Sequence, residues 1–175
     1  MEIYLARHTS VDVAPGTCYG FTDVPLRPSF PREAAATRMR LAGLAFDKVY
    51  TSPLSRAAKL AAFCGYPDAI RDERLKEMNM GAWEMQRFDD ITDERLQVWY
   101  DDFLNQPTTG GESFRDLYAR VASFLDGLRR QSIGRAAVFA HGGVLICAGV
   151  YAGIIPLEDG FKHLTPYGGV IKINL

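Results

Sequence analysis

The sequence predicts an α/β domain in which a mainly parallel central sheet is covered by helices on both faces, a three-layer α/β/α sandwich. Segments of strand and helix character alternate along the chain, the pattern of a parallel sheet whose strands are joined by crossover helices. Two strand segments, Met1–Ala6 and Arg135–Ala140, are largely apolar, as in strands buried on both faces. With 175 residues, 47% hydrophobic and 23% charged, the chain fits one domain, 1–175, with a sizeable core.

The first strand, Met1–Ala6, runs straight into Arg7-His8-Thr9. The connection from Ser10 to Pro31 is rich in proline and glycine, with Tyr19 and Phe21 among them, and a loop of this length in a small domain is usually functional. A helix is expected from about Arg32, with Ala35, Met39, Ala42 and Phe46 on one apolar face. Asp47–Thr51 reads as the second strand. Ser52-Pro53 has the form of a helix start, with Ser52 as N-cap, Pro53 at the first position, and Leu54, Ala57, Ala58 and Ala61 on the buried face up to Gly65. Arg56 falls in that first turn, where a cation opposes the helix dipole unless both face an anion.

After a short strand at Ala69–Arg71 and an irregular stretch, a helix is expected over Thr92–Leu104, with Leu96, Trp99, Tyr100 and Phe103 on one face. Residues 84–111 form the segment that departs from the sheet and would lie over the site as a lid. Ser113 and Asp116 make a capping-box pattern that opens the longest helix, through Phe114, Leu117, Val121, Phe124 and Leu128. Arg135–Ala140 then leads into His141-Gly142-Gly143 and an apolar helix from Val144. The last strand is Val170–Leu175, able to pair within the sheet or across a dimer, so monomer and homodimer both stay open.

The formal net charge of −1 gives no general attraction to nucleic acid or membrane, so an anion site must be local. The longest apolar run, Val144 to Ile155, is too short to span a bilayer. Cys18, Cys64 and Cys147 are three in number and far apart, which suits a reducing compartment. With no signal-peptide pattern evident, a cytoplasmic location is the expectation.

Parallel strands end along one rim of the sheet, where ligands of open α/β folds bind. Arg7, His8 and His141 would therefore meet there, and Arg56 would reach the same rim. Two guanidinium forks and two imidazoles suit a tetrahedral dianion, because the fork matches phosphate oxygens two at a time. Phosphoryl transfer is the chemistry suggested, on a small phosphorylated metabolite. The chain has no G-x-S-x-G nucleophile elbow, no G-x-x-x-x-G-K-[ST] phosphate loop and no H-E-x-x-H zinc motif. No metal and no cofactor is called for when arginines carry the charge.

Arg7-His8-Thr9, Ser52-Pro53-Leu54-Ser55-Arg56-Ala57, Leu75 through Glu84, Gly110-Gly111-Glu112-Ser113-Phe114 and Ala140-His141-Gly142-Gly143 stand in an order that resembles the histidine phosphatase superfamily, the phosphoglycerate mutase-like fold. Cys18 through Leu26 and the short chain are most similar to α-ribazole phosphatases of cobalamin nucleotide-loop assembly. The resemblance implies His8 as nucleophile and future phosphohistidine, Arg7, Arg56 and His141 as ligands of the phosphoryl oxygens, and Glu77 as proton donor. It implies a metal-independent phosphomonoesterase acting on α-ribazole 5'-phosphate, the alternatives being a broad-specificity phosphatase, a phosphoglycerate mutase or a silent phosphate-binding module. Neighbouring cations would keep His8 neutral and able to attack. Thr9 replaces the family's usual glycine, the usual asparagine beyond it is not evident in Asp12-Val13-Ala14, and Trp83-Glu84-Met85 replaces Trp-Glu-Gly. Thr9, Tyr19, Phe21 and Gly142 are candidates for substrate contact. Tyr19 and Phe21 equally suit loop packing, Glu84 an ion pair, and Glu112 with Ser113 a helix cap. His163 is expected on the surface.

Overall fold

A computed structural model describes residues 1–175, and its five-stranded sheet is built outward from the strand that leads to His141. The strands are β1 (Glu2–Arg7), β2 (Lys48–Thr51), β3 (Ile70–Arg71), β4 (Arg135–Ala140) and β5 (Val170–Asn174), in spatial order β3-β2-β4-β1-β5. β4 pairs in parallel with β1 and β2, and β2 with β3, while β5 runs antiparallel along β1. The terminal strand is thus paired inside its own sheet.

Side chains of β1 and β4 alternate between two cores, as a period of two requires. Ile3, Leu5, Val138 and Ala140 join the larger cluster with α4 (Phe114–Arg129) and α5 (Gly142–Tyr151). Ala6, Ala137 and Phe139 join the smaller one, against Ala34 of α1 (Phe30–Arg40) and Leu60 and Ala61 of α2 (Ser55–Phe63). Helices therefore cover both faces, and the three-layer α/β/α sandwich with a mainly parallel sheet is the observed architecture.

The helix α4 begins with the capping box read from Ser113 and Asp116, and it buries Phe114, Leu117, Val121, Phe124 and Leu128. Other boundaries differ from the sequence reading. Helix α1 starts two residues early because Pro31 is tolerated in a first turn, and it ends at Arg40, before Gly43 takes a left-handed φ of 77°. Its buried residues are Ala34 and Thr37, whereas Met39 is 77% exposed. The expected face through Met39 and Phe46 fails because Thr37, a polar residue, is the one turned inward, its hydroxyl donating to the Gly168 carbonyl at 2.8 Å.

Helix α2 starts at Ser55, not at Pro53, and its N-cap position is Leu54. A carboxylate from another segment does the capping: Asp23 accepts from the Ser55 N–H at 3.0 Å and from its hydroxyl at 2.9 Å. This negative group satisfies the first free N–H and suits the positive end of the helix dipole. The expected Thr92–Leu104 helix is only α3 (Arg95–Asp101), and Tyr100, expected on its apolar face, is half exposed. No helix of the chain is long and apolar enough to cross a membrane.

Candidate active site

The register of β1 on β4 pairs Arg7 with Ala140, so the next residues, His8 and His141, leave the sheet side by side. Their ring centroids are 5.2 Å apart, and both side chains are buried. His8 Nδ1 lies 2.7 Å from the Thr9 carbonyl oxygen. A carbonyl only accepts, so Nδ1 carries the proton and the Nε2 lone pair is left free. Burial, and after it the charge of Arg56, pushes the His8 pKa down to about 3, which keeps the ring neutral. His141 is likewise pushed well below the usual histidine value, by burial first and then by Arg56. Its Nε2 meets the Ser52 hydroxyl at 2.8 Å, and when that hydroxyl donates, Nδ1 carries the single proton of the neutral ring. Ser52, expected as a helix cap, instead orients this histidine.

The two arginines hold their guanidinium groups by main-chain carbonyls. Arg7 Nη1 donates to the Thr165 carbonyl at 2.6 Å. Arg56 is fully buried, donating from Nη1 to the Thr22 carbonyl at 2.9 Å and from Nη2 to the Gly20 carbonyl at 2.6 Å. Burial lowers its pKa, and Glu77 is foremost among the charges that oppose this. The Nε of each arginine has no partner, nor have His141 Nδ1 and Thr9 Oγ1. These are four of the six buried side-chain polar atoms in the chain that lack one. Leaving such groups unpaired costs about 1–3 kcal/mol each. Their concentration around His8 is the mark of a site built for a ligand that accepts hydrogen bonds.

Glu77 reaches the same place from the irregular stretch after Leu75. Its carboxylate accepts from the Gly143 N–H at 3.1 Å, in the first turn of α5, and from its neighbour Met78 N–H at 3.0 Å. A Cβ on Gly143 would lie 2.5 Å from Glu77 Oε1, so glycine is what lets helix and carboxylate meet. Beside His8 opens a cavity of about 330 Å³ lined by Arg7, Glu77 and Gly142 together with Tyr19, Met78, Met80, Phe88, Trp99, Phe161 and Leu164. No three His, Cys, Asp or Glu side chains are grouped as a metal site would require. A pocket for an anion, a neutral imidazole with a free lone pair and a carboxylate beside it are thus assembled at one rim.

Comparison with known proteins agrees with this geometry: the family described as the histidine phosphatase superfamily, branch 1, matches residues 3–175. The chain belongs to that superfamily. Members of the histidine phosphatase superfamily are phosphatases or mutases. A curated relative, the "probable phosphoglycerate mutase GpmB" of Escherichia coli O1:K1, is 31% identical over 157 residues, covering 84% of this chain and 72% of that protein. The α-ribazole phosphatase structure from Shigella flexneri aligns with a TM-score of 0.91 at 25% identity, over 100% of this chain and 91% of the other. A phosphoglycerate mutase structure from Thermus thermophilus aligns at 0.79 and 29% identity, over 99% and 93%.

Within this histidine phosphatase fold, the structure brings Arg7, His8, Arg56, Glu77 and His141 together, with Thr9 buried next to the histidine and Gly142 and Tyr19 in the cavity wall. Phe21 is elsewhere: its ring packs against Lys76 Nζ at 5.1 Å and the Arg120 guanidinium at 5.7 Å, and it does not line the cavity. The N-terminus of α2 is not open to an anion either, since Asp23 occupies it. His163 is exposed, as expected.

Three residues support the site from behind: Glu84 and Glu112, which the sequence offered as an ion pair and a helix cap, and Arg120, which it did not single out. Glu84 is no ion-pair partner; it accepts from the backbone N–H groups of Gly20, Phe21, Thr22 and Met80 at 2.8–3.1 Å. Burial alone would raise its pKa, but these hydrogen bonds outweigh it and the net shift is downward. Glu84 thereby fixes the loop whose carbonyls hold Arg56, and Gly20 fits there because a Cβ would lie 1.7 Å from the Met78 carbonyl oxygen. Arg120 donates to the carbonyls of Arg74, Lys76 and Glu77 and pairs with Glu112 at 2.8 Å, fastening the stretch that carries Glu77. Glu112 in turn accepts from the Asn79 N–H at 2.8 Å, so it acts beyond a helix cap.

Proposed function

We propose that the protein is a metal-independent phosphomonoesterase that works through a phosphohistidine, with α-ribazole 5'-phosphate as its preferred substrate. The phosphoryl oxygens take the four unpartnered donors, among them the Nε groups of Arg7 and Arg56. His8 Nε2 attacks phosphorus in line with the ester oxygen, forming the N–P bond as the P–O bond breaks. Glu77, in its protonated form, gives its proton to the departing oxygen. Water then attacks the phosphohistidine, Glu77 takes a proton from it, and the N–P bond breaks to return neutral His8 and phosphate. The Thr9 carbonyl holds Nδ1–H throughout and so keeps the attacking nitrogen the same in every turnover.

The observation that carries the choice of leaving group is the cavity beside His8. Its volume of about 330 Å³ is at the small end for ligand sites, roughly 300–1,000 Å³. Ten of its sixteen lining residues are hydrophobic and Arg7 is its only lysine or arginine. A phosphoglycerate would bring a carboxylate here with no second cation to meet it, whereas an apolar aromatic nucleoside finds Trp99, Phe88, Tyr19 and methionines to stack on. Residues 84–111 supply Phe88 and Trp99, and we read this segment as the cover over the leaving group.

The test is a comparison of kcat/KM for α-ribazole 5'-phosphate, 3-phosphoglycerate and simple sugar phosphates. The nucleotide is expected to lead by on the order of a hundredfold, the cost of burying an unpaired charge. Equal or faster turnover of 3-phosphoglycerate would overturn the assignment of the leaving group.

A further inference from the structure

Tyr167 lies in the turn between a short helical segment, Leu157–His163, and β5, and the backbone just after it is tied to the strand that carries the nucleophile. The Gly168 N–H donates to the His8 carbonyl at 3.1 Å, and the Arg7 N–H donates to the Gly169 carbonyl at 2.9 Å. Gly168 has φ +67°, and a Cβ there would be 3.0 Å from Thr37 Oγ1, so the turn needs glycine at this position. A turn held at these points is a rigid support for one ring.

That ring sits 5.5 Å from the His8 imidazole and 4.1 Å beneath the Arg7 guanidinium. Its hydroxyl meets the hydroxyl of Tyr19 at 2.9 Å, and the Tyr19 ring lies 5.4 Å from the Arg56 guanidinium. Arg7 is therefore held in two ways by the same turn, through its π face on Tyr167 and through Nη1 on the Thr165 carbonyl. Arg7 Nε remains a buried donor without a partner, packed against Gly142 at the start of α5.

We propose that Tyr167 is a positioning residue for Arg7: its ring fixes the guanidinium so that Nε faces the phosphoryl group, and the Tyr19 hydroxyl fixes the ring. Tyr167 forms no bond to the reacting atoms and acts through the arginine. The proposal rests on the reading of His8 and Arg7 as a phosphoryl site.

The experiment titrates inorganic phosphate by calorimetry into the wild type, Tyr167→Phe, Tyr167→Leu, Arg7→Ala and the Arg7→Ala/Tyr167→Leu double variant. Tyr167→Leu is expected to weaken phosphate binding about three- to thirtyfold, the range of a cation–π contact, and Tyr167→Phe, which keeps the ring, to bind within about threefold of wild type. In the Arg7→Ala background the leucine substitution is expected to change affinity by less than about twofold, because the group it acts through is gone. Wild-type affinity in Tyr167→Leu would overturn the proposal, as would an equal loss with and without Arg7, which a general packing role would produce. Failure of the wild type to bind phosphate would instead overturn the phosphoryl site and the proposal with it. Thermal melts accompany each variant. If Tyr167→Leu does not fold, Tyr167→Gln, which keeps length without a π face, is read against the same outcomes.

Discussion

Two neutral histidines buried at the end of a sheet make acid stability a direct readout of the site. His8 has a folded-state pKa of about 3 against an ordinary value of 6.5, and His141 is also well below 6.5. The unfolded chain therefore binds protons that the folded chain refuses, and stability falls as pH drops below about 6.5, continuing for His8 until about 3. Each such histidine contributes a slope of about 1.4 kcal/mol per pH unit. For His8, between pH 6.5 and 5 this integrates to about 1.6 kcal/mol, a sizeable share of the roughly 5–15 kcal/mol that stabilises a domain, and His141 acts in the same direction. The carboxylates with lowered pKa, such as Glu33 and Asp116, also favour the folded state at high pH, but they titrate below their ordinary values near 4 and so are nearly silent in this window. Urea unfolding at half-unit steps from pH 7 to 5 measures the slope. His8→Asn, a neutral side chain that cannot charge, is expected to lower it by the His8 share. A slope unchanged in both His8→Asn and His141→Asn would refute the claim that burial holds these rings neutral.

Gly143→Ala puts a methyl 2.5 Å from Glu77 Oε1 and 2.8 Å from Leu117 Cδ2. If Glu77 is the proton donor proposed, pushing its carboxylate aside should cost on the order of a hundredfold in kcat, as loss of general acid catalysis does, while inorganic phosphate inhibits as before; a kcat within a factor of two of wild type would show that Glu77 does not act from this seat. Glu84→Ala strips four N–H groups of their acceptor and frees the loop that carries the carbonyls bound by Arg56. It should cost about 2–4 kcal/mol in urea unfolding and raise the phosphate inhibition constant, and a variant unchanged in both would contradict the coupling between Glu84 and Arg56. Arg56→Ala should lose on the order of a hundredfold or more in kcat/KM on p-nitrophenyl phosphate, as removal of a preorganised donor does; near-normal turnover would remove Arg56 from the site.

Much of the fold was legible because its signals are local. The apolar runs of β1 and β4, the Ser113–Asp116 box and the spacing from Phe114 to Leu128 each state their own structure. The convergence of His8 and His141 follows from parallel strands alone, and the register of β1 on β4 agrees. What escaped is set by partners distant in sequence. Ser52 resembles a cap because Ser-Pro usually is one; Asp23, 32 residues away from Ser55, takes that role and leaves Ser52 to His141. Thr37 reads as polar until its hydroxyl finds Gly168, 131 residues later. Glu84 and Arg120 bind backbone groups, which any sequence has, so no side-chain pattern announces them. Two glycines do carry a signal: at Gly20 and Gly143 only the absence of a Cβ lets a carbonyl or a carboxylate come close. Phe21 reads as a site residue through its neighbour Tyr19, yet it packs on Arg120 outside the cavity.

The chemistry of the site converges on the free Nε2 of His8. The measurement that tests it most directly is trapping of the covalent intermediate: brief incubation with a ³²P-labelled phosphomonoester, quench in base, and mass spectrometry of the labelled peptide. The account predicts one phosphoryl group on His8, stable to alkali and lost in acid, and none in a His8→Asn protein that still binds phosphate. Turnover at the wild-type rate by His8→Asn, or label recovered on any other residue, would contradict it.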